Sequence, residues 1–480
     1  MKYTPIDPQL FVENRANLIR LLPPQSLVIV NTNDILPTNA DSSFLLKPGT
    51  DLFYLTGIEQ EESRLLLYPD AHDGKYREIL FLRQPNPLLE TWEGRKLTKD
   101  EARKISGMVR VEWLADFPAV FHRLMCECDL VYLNSNEHKR AQIVVETREA
   151  RFVKATREQY PLHNYRRLAP LMHKLRAVKS QIELALIQKA CDITEAGFRR
   201  VCQMVRPGIN EMEVEAELAH EFIRRGGQFA YSPIIATGLN ACALHYLQND
   251  QPCHSGQLLL LDAASSYANY NADLTRTIPV SGRFTRRQKQ VYNAVLRILR
   301  AVSRAATPGK LPQDWQKEAE GLVEKELVDL GLLKLSDIKK QNPEEPAFHK
   351  YFMHGVGHPL GLDVHDIALT VGPFQSGWVM TVEPGIYIRE EGFAIRLENN
   401  ILVREGGNLD LMATIPIEAE EIESLMNRKT SRADLSEHPI GAAYSHNHHS
   451  TQTTQTRPGL GFGDNGQASP IPDSIRCQQP

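Results

Sequence analysis

Two stretches of the sequence place paired carboxylates beside apolar, strand-like segments. Asp262 follows four consecutive leucines, and Asp273 lies where the chain returns from a short turn. Glu383 and Glu398 hold comparable positions in a second stretch. An ionised carboxylate in such surroundings is strongly destabilised unless a cation lies beside it, and two together are worse. Four acids in this pattern indicate a metal site, whose oxygen ligands favour Mn²⁺, Mg²⁺ or Co²⁺ over zinc in a thiolate-type site.

Four histidines accompany these acids. His354, His358 and His365 share one segment with several glycines and a proline. That composition excludes a regular helix and therefore the helical zinc motif of zincins. His358 is the candidate nitrogen ligand, and His354 and His365 are candidate donors to a substrate; His245 follows a separate run rich in turn residues. Each residue taken alone could be structural, but together they supply what hydrolysis at a two-metal site requires.

The elements that must position these residues fall into two groups. In the first group the pattern predicts a small α/β domain, with helices over 7–22, 98–107 and 116–125 and strands at Ser26–Val30, Arg64–Tyr68, Arg77–Leu82 and Leu130–Leu133. In the second it predicts helices over 181–204 and 211–226, a hairpin over 257–280, helices over 286–305 and 312–330, and a hairpin over 376–403. Helices followed by a hairpin, twice over, indicate an internal duplication. The expected fold class is α+β.

The domain boundaries follow from these groups. We expect an N-terminal domain over 1–165, a linking helix over 166–180 and a catalytic domain over 181–428. Residues 429–480 are rich in Ser, Thr, Gln, Gly and Pro and have no apolar periodicity, so they are expected to be disordered.

The composition is that of a folded globular protein. The chain has 480 residues, of which 42% are hydrophobic and 24% charged, with a formal charge of −4. This balance predicts neither nucleic-acid nor membrane binding, and no apolar run approaches the ~18 residues of a membrane span. Seven cysteines, an odd and sparse number, favour a reducing compartment over a disulfide framework. With an N-terminus that lacks a signal-like apolar stretch, the expected location is the cytoplasm.

Several short strings resemble those of the pita-bread metallopeptidases, which include methionine aminopeptidase, aminopeptidase P and prolidase. In the second group these strings are LLDA, DLTRT, HGVGH, GLDVHD, VEPGIY and RLENN. In the first group, the strings at Asn39–Ser43, Asp51–Gly57 and Trp92–Arg95 resemble the non-catalytic domain of aminopeptidase P. The resemblance implies a pita-bread catalytic domain preceded by a smaller α/β domain. It implies release of the N-terminal residue from short peptides whose second residue is proline. Prolidase, which cuts only Xaa-Pro dipeptides, is the alternative enzyme, and a non-catalytic scaffold on the same fold is a more distant one.

The resemblance also assigns roles to single residues. The implied ligands of two divalent ions, expected to be Mn²⁺, are Asp262, Asp273, His358, Glu383 and Glu398. Of these, Asp273 and Glu398 would bridge the ions, and Glu383 would also carry a proton. The implied substrate contacts are His245 and His365 around the scissile bond and His354 and Arg396 near the proline. A homo-oligomer, dimer or tetramer, is expected as well.

Overall fold

The computed structural model describes residues 3–141, 144–342, 344–367 and 372–428. The disorder predicted for 429–480 therefore lies outside the described residues. Residues up to Lys429 belong to one unit.

Six strands near the N-terminus form one mixed sheet in the order β4-β3-β2-β1-β5-β6. The strands are β1 (Ser26–Asn31), β2 (Arg64–Leu67), β3 (Glu78–Leu82), β4 (Val111–Trp113), β5 (Leu130–Leu133) and β6 (Asn164–Arg167). The helices between and around them are α1 (Gln9–Leu21), α2 (Thr50–Thr56), α3 (Pro87–Glu93), α4 (Lys99–Ser106), α5 (Phe117–Met125), α6 (Arg148–Gln159) and α7 (Ala169–Ala177). The α/β character predicted for this part of the chain is confirmed.

Helices cover both faces of this sheet. Strand alternation sends Val28 and Val30 of β1 into one apolar cluster and Leu27 and Ile29 into another. The first cluster also holds residues of α1, α2 and α7, and the second holds residues of α5. A strand buried on both faces explains why β1 is apolar at successive positions rather than alternating.

The second part of the chain repeats a pattern of two helices followed by strands. Its helices are α8 (Gln181–Met204), α9 (Glu211–Arg224), α10 (Arg286–Ala305), α11 (Pro312–Asp329), α12 (Leu335–Ile338) and α13 (Ala419–Met426). Its strands are β7 (Gln228–Phe229), β8 (Ile234–Thr237), β9 (Leu258–Asp262), β10 (Ser265–Tyr267), β11 (Tyr270–Asn271), β12 (Thr275–Pro279), β13 (Val379–Val382), β14 (Gly385–Ile388), β15 (Phe393–Arg396), β16 (Asn399–Leu402) and β17 (Leu409–Asp410). The predicted α+β class and the repeated helix–hairpin arrangement are confirmed.

Local sequence signals explain where the long helices begin. Ser180 caps α8 and Glu183 returns the hydrogen bond to the Ser180 backbone, which satisfies two amides at the helix start. The starts of α4, α9 and α10 have the same reciprocal cap. None of the helices among the described residues is long and apolar enough to span a membrane.

Both predicted hairpins are interrupted. In the first, β9 pairs with β12 and β10 with β11, so residues 263–264 and 272–274 lie between two ladders. In the second, β13 pairs with β16 and β14 with β15, which leaves 383–384 and 397–398 between ladders. The sequence predicted two continuous hairpins, and the structure corrects this: each hairpin consists of two separate ladders. The candidate ligands lie at or beside the gaps between these ladders.

A cluster of buried charges joins the two parts of the chain. Arg176 donates to Asp51 Oδ1 at 2.8 Å, Asp363 Oδ2 at 2.7 Å and Asp366 Oδ1 at 2.6 Å. Lys179 Nζ donates to Asp366 Oδ2 at 2.8 Å. We call these five residues the interdomain ion cluster. Residues 166–180, predicted as a linking helix, contain the end of β6 and helix α7, which is shorter than the predicted helix. The domain boundaries stay a prediction.

Candidate metal centre

The interruptions of the two hairpins bring four carboxylates to one place. Asp262 ends β9 opposite Thr275, and Asp273 lies just before β12. Glu383 and Glu398 lie across from each other between the two ladders of the second hairpin. The Glu398 amide donates to the Thr275 carbonyl at 3.0 Å, which ties the second hairpin to the first. We call these four carboxylates the acidic cluster.

A tyrosine hydroxyl joins the two aspartates. Tyr231 Oη lies 2.7 Å from Asp262 Oδ1 and 2.7 Å from Asp273 Oδ1. The Asp273 backbone is held on both sides by Asn400, which accepts from its amide at 3.0 Å and donates to its carbonyl at 2.7 Å. The prediction that a short hairpin brings Asp273 beside Asp262 is confirmed by this geometry.

His358 faces the acidic cluster through one nitrogen. Its Nδ1 lies 3.0 Å from the Pro359 carbonyl, which accepts a hydrogen bond from the N–H of that nitrogen. Its Nε2 then points at Asp273 Oδ2 at 3.5 Å and Glu383 Oε1 at 3.7 Å. A carbonyl that fixes the tautomer in this way is typical of metal-binding histidines.

Glu398 carries an oxygen without a partner. Its Oε2 accepts from Thr275 Oγ1 at 2.7 Å, but its buried Oε1 has no hydrogen-bond partner among the described residues. The side chain is 2% exposed. A buried, unpaired carboxylate oxygen is costly, which suggests that it serves a bound cation.

Arg396 is the fixed cation of the site. It donates to Asp262 Oδ2, to Tyr387 Oη at 2.8 Å and, through Nε, to Thr275 Oγ1 at 3.1 Å. Because both Arg396 and Glu398 contact Thr275, they share a face, as strand alternation predicts. Tyr387 Oη also lies 2.8 Å from His354 Nε2, so Arg396 reaches His354 only through the tyrosine.

The other two histidines differ in their surroundings. His365 stacks on His358, with ring centroids 4.0 Å apart, and its Nδ1 lies 2.7 Å from Arg140 Nη1. His245 is an exposed residue in the turn that follows a short 3₁₀ helix. The structure thus brings His358 and His365 to the acidic cluster and joins His354 to it through Tyr387 and Arg396. Among the described residues no hydrogen bond or ring contact links His245 to the cluster.

Burial and mutual repulsion shift the pKa values of these groups. Burial raises the pKa of Glu383 to about 7, against the lowering effect of His358. Burial and the charges of Asp273 and Glu383 raise the pKa of Glu398 well above its usual range. Burial alone would lower the pKa of His358, but Asp273 and Glu383 raise it to about 9. Carboxylates that hold protons so tightly have too little positive charge nearby to offset their burial and mutual repulsion.

The pKa values of two other histidines move downwards. Burial and the neighbouring Arg396 lower the pKa of His354 to about 4. Burial, His358 and Arg140 lower the pKa of His365 to about 3. Both rings are therefore neutral near pH 7 and can donate or accept a hydrogen bond.

The donor set fits divalent cations. Asp273, His358 and Glu398 offer ligand atoms that lie within 4.8 Å of one another. Asp262 adjoins this group through Tyr231, and Glu383 adjoins it through His358. Four carboxylates with one arginine leave an excess of negative charge, and Glu398 Oε1 lacks a partner. Hard oxygen donors with one imidazole suit such an ion.

Reasoning from sequence missed three residues of this site. Tyr231, Thr275 and Tyr387 bind the acidic cluster or its neighbours through hydroxyl groups. Thr275 could have been found, because it lies two positions after Asp273 and so shares its face of the strand. Tyr231 and Tyr387 carry no comparable signal, since isolated tyrosines in strands and loops are usually structural.

Comparisons with known families agree with this geometry. The family "Metallopeptidase family M24" matches residues 185–405, and "Aminopeptidase P, N-terminal domain" matches residues 11–132. The fold and the candidate site are therefore those of a metallopeptidase that carries an aminopeptidase P-type N-terminal domain.

Individual relatives narrow the class. The Xaa-Pro aminopeptidase of Haemophilus influenzae is 33% identical over 431 residues, which cover 87% of this chain and 97% of the relative. That of Escherichia coli is 33% identical over 441 residues, covering 88% and 98%. A structure of zinc-substituted Escherichia coli aminopeptidase P in complex with product has a TM-score of 0.78 at 32% identity, covering 89% of this chain and all of that one.

The chain belongs to the Xaa-Pro aminopeptidases of metallopeptidase family M24, hydrolases that release the residue preceding proline at a peptide N-terminus. The pita-bread fold and the enzyme class predicted from sequence are confirmed. Neither the prolidase alternative nor the scaffold alternative gains support from these relatives.

Proposed function

We propose that Asp262, Asp273, His358, Glu383 and Glu398 hold two divalent metal ions and that the ions are Mn²⁺. Asp273 and Glu398 would bridge them, Asp262 would hold one, and His358 and Glu383 would hold the other. The observation that carries this proposal is the unpaired, buried Glu398 Oε1 inside the acidic cluster. When bound, such ions activate water and polarise the scissile carbonyl.

Glu383 is the residue we propose for proton transfer. Burial raises its pKa to about 7 without metal, and bound cations would lower that pKa, so the assignment rests on the place of Glu383 in the acidic cluster, 3.7 Å from His358 Nε2. Glu383 would accept a proton from the attacking water and deliver it to the proline nitrogen as the peptide bond breaks. That nitrogen has no hydrogen in an Xaa-Pro bond, so it must gain one before proline can leave.

Four further residues would position the peptide. We assign His245 and His365 to the atoms around the scissile bond, and both are exposed in this structure. We assign His354 and Arg396 to the proline side. Arg396 is 4% exposed, with its donors engaged by protein oxygens, so it would act by holding Tyr387 and Asp262 in place.

Two properties beyond the active site complete the proposal. A homo-oligomer is supported by Leu88 and Trp92 on α3, which are 70% and 80% exposed, because exposed large apolar side chains favour subunit contacts. Light scattering of the wild type and of Trp92→Ser would test this. The cytoplasmic location predicted from the sparse cysteines stays a prediction.

The substrate is best tested on matched peptides. Purified, Mn²⁺-loaded protein would be incubated with Xaa-Pro, Xaa-Pro-Yaa, a longer Xaa-Pro peptide and an Xaa-Ala control, and the products identified by mass spectrometry. We expect cleavage of the tripeptide and of the longer peptide at the Xaa-Pro bond, with the Xaa-Ala control intact. Turnover of the dipeptide alone would identify a prolidase. No cleavage with any divalent metal would contradict the catalytic assignment.

A further inference from the structure

A cavity lies where the N-terminal domain meets the segment that carries His365. It has a volume of about 910 Å³, and the residues that line it come from 31–51, 134–141, 145–151 and 169–176 on one side and 363–367 on the other. His365 is among them, so the cavity opens directly beside the candidate metal centre. Its size suits a few residues of a peptide rather than a single amino acid.

The charges that line this cavity are mostly paired. Arg148 and Arg151 pair with Asp34, Arg176 pairs with Asp51 and Asp363, and Glu137 pairs with Arg167. Among the described lining residues, Arg140 and Lys47 are the arginine and lysine that form no ion pair. Glu146 and Glu149 are the described lining carboxylates that form no ion pair, and burial raises the pKa of Glu149 to about 7. The two unpaired cations are therefore matched in number by two carboxylates, and Arg140 is the cation that contacts His365.

Arg140 is the unpaired cation next to the metal centre. A guanidinium cannot accept a hydrogen bond, so its Nη1 donates to His365 Nδ1 at 2.7 Å. His365 stacks on the ring of His358 at 4.0 Å. Arg140 is thus separated from a candidate metal ligand by one imidazole. The side chain is exposed, and four of its five N–H donors have no partner among the described residues.

The two ends of a peptide carry opposite charges, which fixes the direction of binding. A protonated N-terminus is repelled by an unpaired guanidinium, whereas a C-terminal carboxylate is attracted by it and matches its forked geometry. Each extended residue spans about 3.3–3.6 Å. A guanidinium one imidazole away from the metal ligands therefore lies within reach of the first or second residue beyond the proline.

We propose that Arg140, which the N-terminal domain supplies, binds the C-terminal carboxylate of short Xaa-Pro peptides and makes it a determinant of specificity. The proposal rests on the proposed function, because it assumes that the scissile bond lies at the acidic cluster. It predicts a preference for tripeptides and tetrapeptides with a free carboxylate over the same peptides ending in an amide.

The test compares two substrates and two arginines. The kcat/KM would be measured with Mn²⁺-loaded full-length protein on Xaa-Pro-Yaa as the free acid and as the C-terminal amide. Arg140→Ala is expected to lower kcat/KM for the acid about tenfold to hundredfold and to change the amide by less than about threefold. Arg151→Ala is the matched control, since Arg151 lines the same cavity but is paired with Asp34, and it should change neither substrate by more than about twofold.

Four outcomes are informative. A loss confined to the acid, mainly in KM and partly restored by Arg140→Lys, would support the proposal. Equal losses on acid and amide, mainly in kcat, would overturn it and make Arg140 a positioning residue for His365. A wild type that cleaves acid and amide equally well would also overturn it. A wild type that cleaves neither would contradict the proposed function instead, so the two failures are distinguishable.

Discussion

The acidic cluster and the interdomain ion cluster are both largely buried and both rich in carboxylates. His358, which faces the acidic cluster, and Asp366 of the interdomain ion cluster lie only a few residues apart in sequence. The two clusters differ in their cations. In the interdomain ion cluster each carboxylate accepts a hydrogen bond from Arg176 or Lys179. In the acidic cluster Arg396 contacts Asp262 alone among the four acids, and Glu398 is contacted by no cation among the described residues.

The pKa values record the same difference. Lys179 and Arg176 outweigh burial and lower the pKa of Asp366, whereas burial dominates and raises those of Glu383 and Glu398. In the interdomain ion cluster the chain itself supplies the positive charge, through Arg176 and Lys179. In the acidic cluster the chain supplies too little positive charge, so the remainder must come from a cation bound from solution. A deficit of cations in a buried acidic group is thus a physical sign of a metal site.

The largest effect is expected from Asp273→Asn. Removing a proposed bridging carboxylate should abolish tight metal binding and lower turnover by more than about a thousandfold. Metal content by mass spectrometry and kcat by peptide assay would check this. Without metal, the relief of like-charge repulsion and the loss of the carboxylate that faces His358 at 3.5 Å act in opposite directions, so the variant should melt close to the metal-free wild type. Full activity in the variant would contradict the two-metal site, and Asp116→Asn, an exposed position, is the control.

Asp366→Asn should show the opposite behaviour. It leaves Lys179 and Arg176 with less negative charge in a buried site, which typically costs about 3–5 kcal/mol of stability. The apparent Tm should fall whether or not metal is present. Asp363→Asn is the matched control, because Asp363 is 34% exposed and should cost about 1 kcal/mol or less. Equal shifts for both variants would show that burial does not distinguish them.

The two clusters should also respond oppositely to pH. In chelated protein the Glu383 pKa of about 7 exceeds its unfolded value of about 4.3, so stability falls as pH rises between these values. The raised His358 pKa of about 9 adds stability that is complete below about 6.5 and is lost as pH rises to 9. The lowered Asp366 pKa adds stability that is lost only as pH falls below about 3.9.

Thermal melting of chelated protein from pH 5 to pH 9 would check this sign. We expect the Tm to decline across the range. With saturating Mn²⁺ the decline should shrink or reverse, because proposed ligands must lose their protons to bind metal. A Tm of chelated protein that rises with pH would contradict the assignment of the raised pKa values.

Tyr231→Phe should have the smallest of these effects. It removes the hydroxyl that touches Asp262 and Asp273 and leaves the ligands in place. Loss of such an outer contact typically weakens metal affinity about tenfold to hundredfold, measurable by metal titration calorimetry. Tyr292→Phe, whose hydroxyl donates to the Ile417 carbonyl away from the site, should leave the affinity unchanged. Equal affinities in both variants would show that Tyr231 does not hold the ligands.

Much of this architecture could be predicted from the sequence because it depends on local patterns. The helix predicted over 181–204 is α8, and the apolar run ending at Asp262 is strand β9. The interruption at Glu383 was not predicted, because periodicity describes pairing within a strand and not the change of partner between two ladders. Arg140 was missed for a related reason: its contact with His365 joins positions 225 residues apart.

The interdomain ion cluster has a consequence for how such enzymes can evolve. Asp51 comes from one domain, while Asp363 and Asp366 come from the segment that carries His365. The two domains are therefore not interchangeable modules. A recombination that exchanged the N-terminal domain would keep these ion pairs only if the incoming domain brought a carboxylate to the place of Asp51, so Arg176 couples the inheritance of the two parts of the chain.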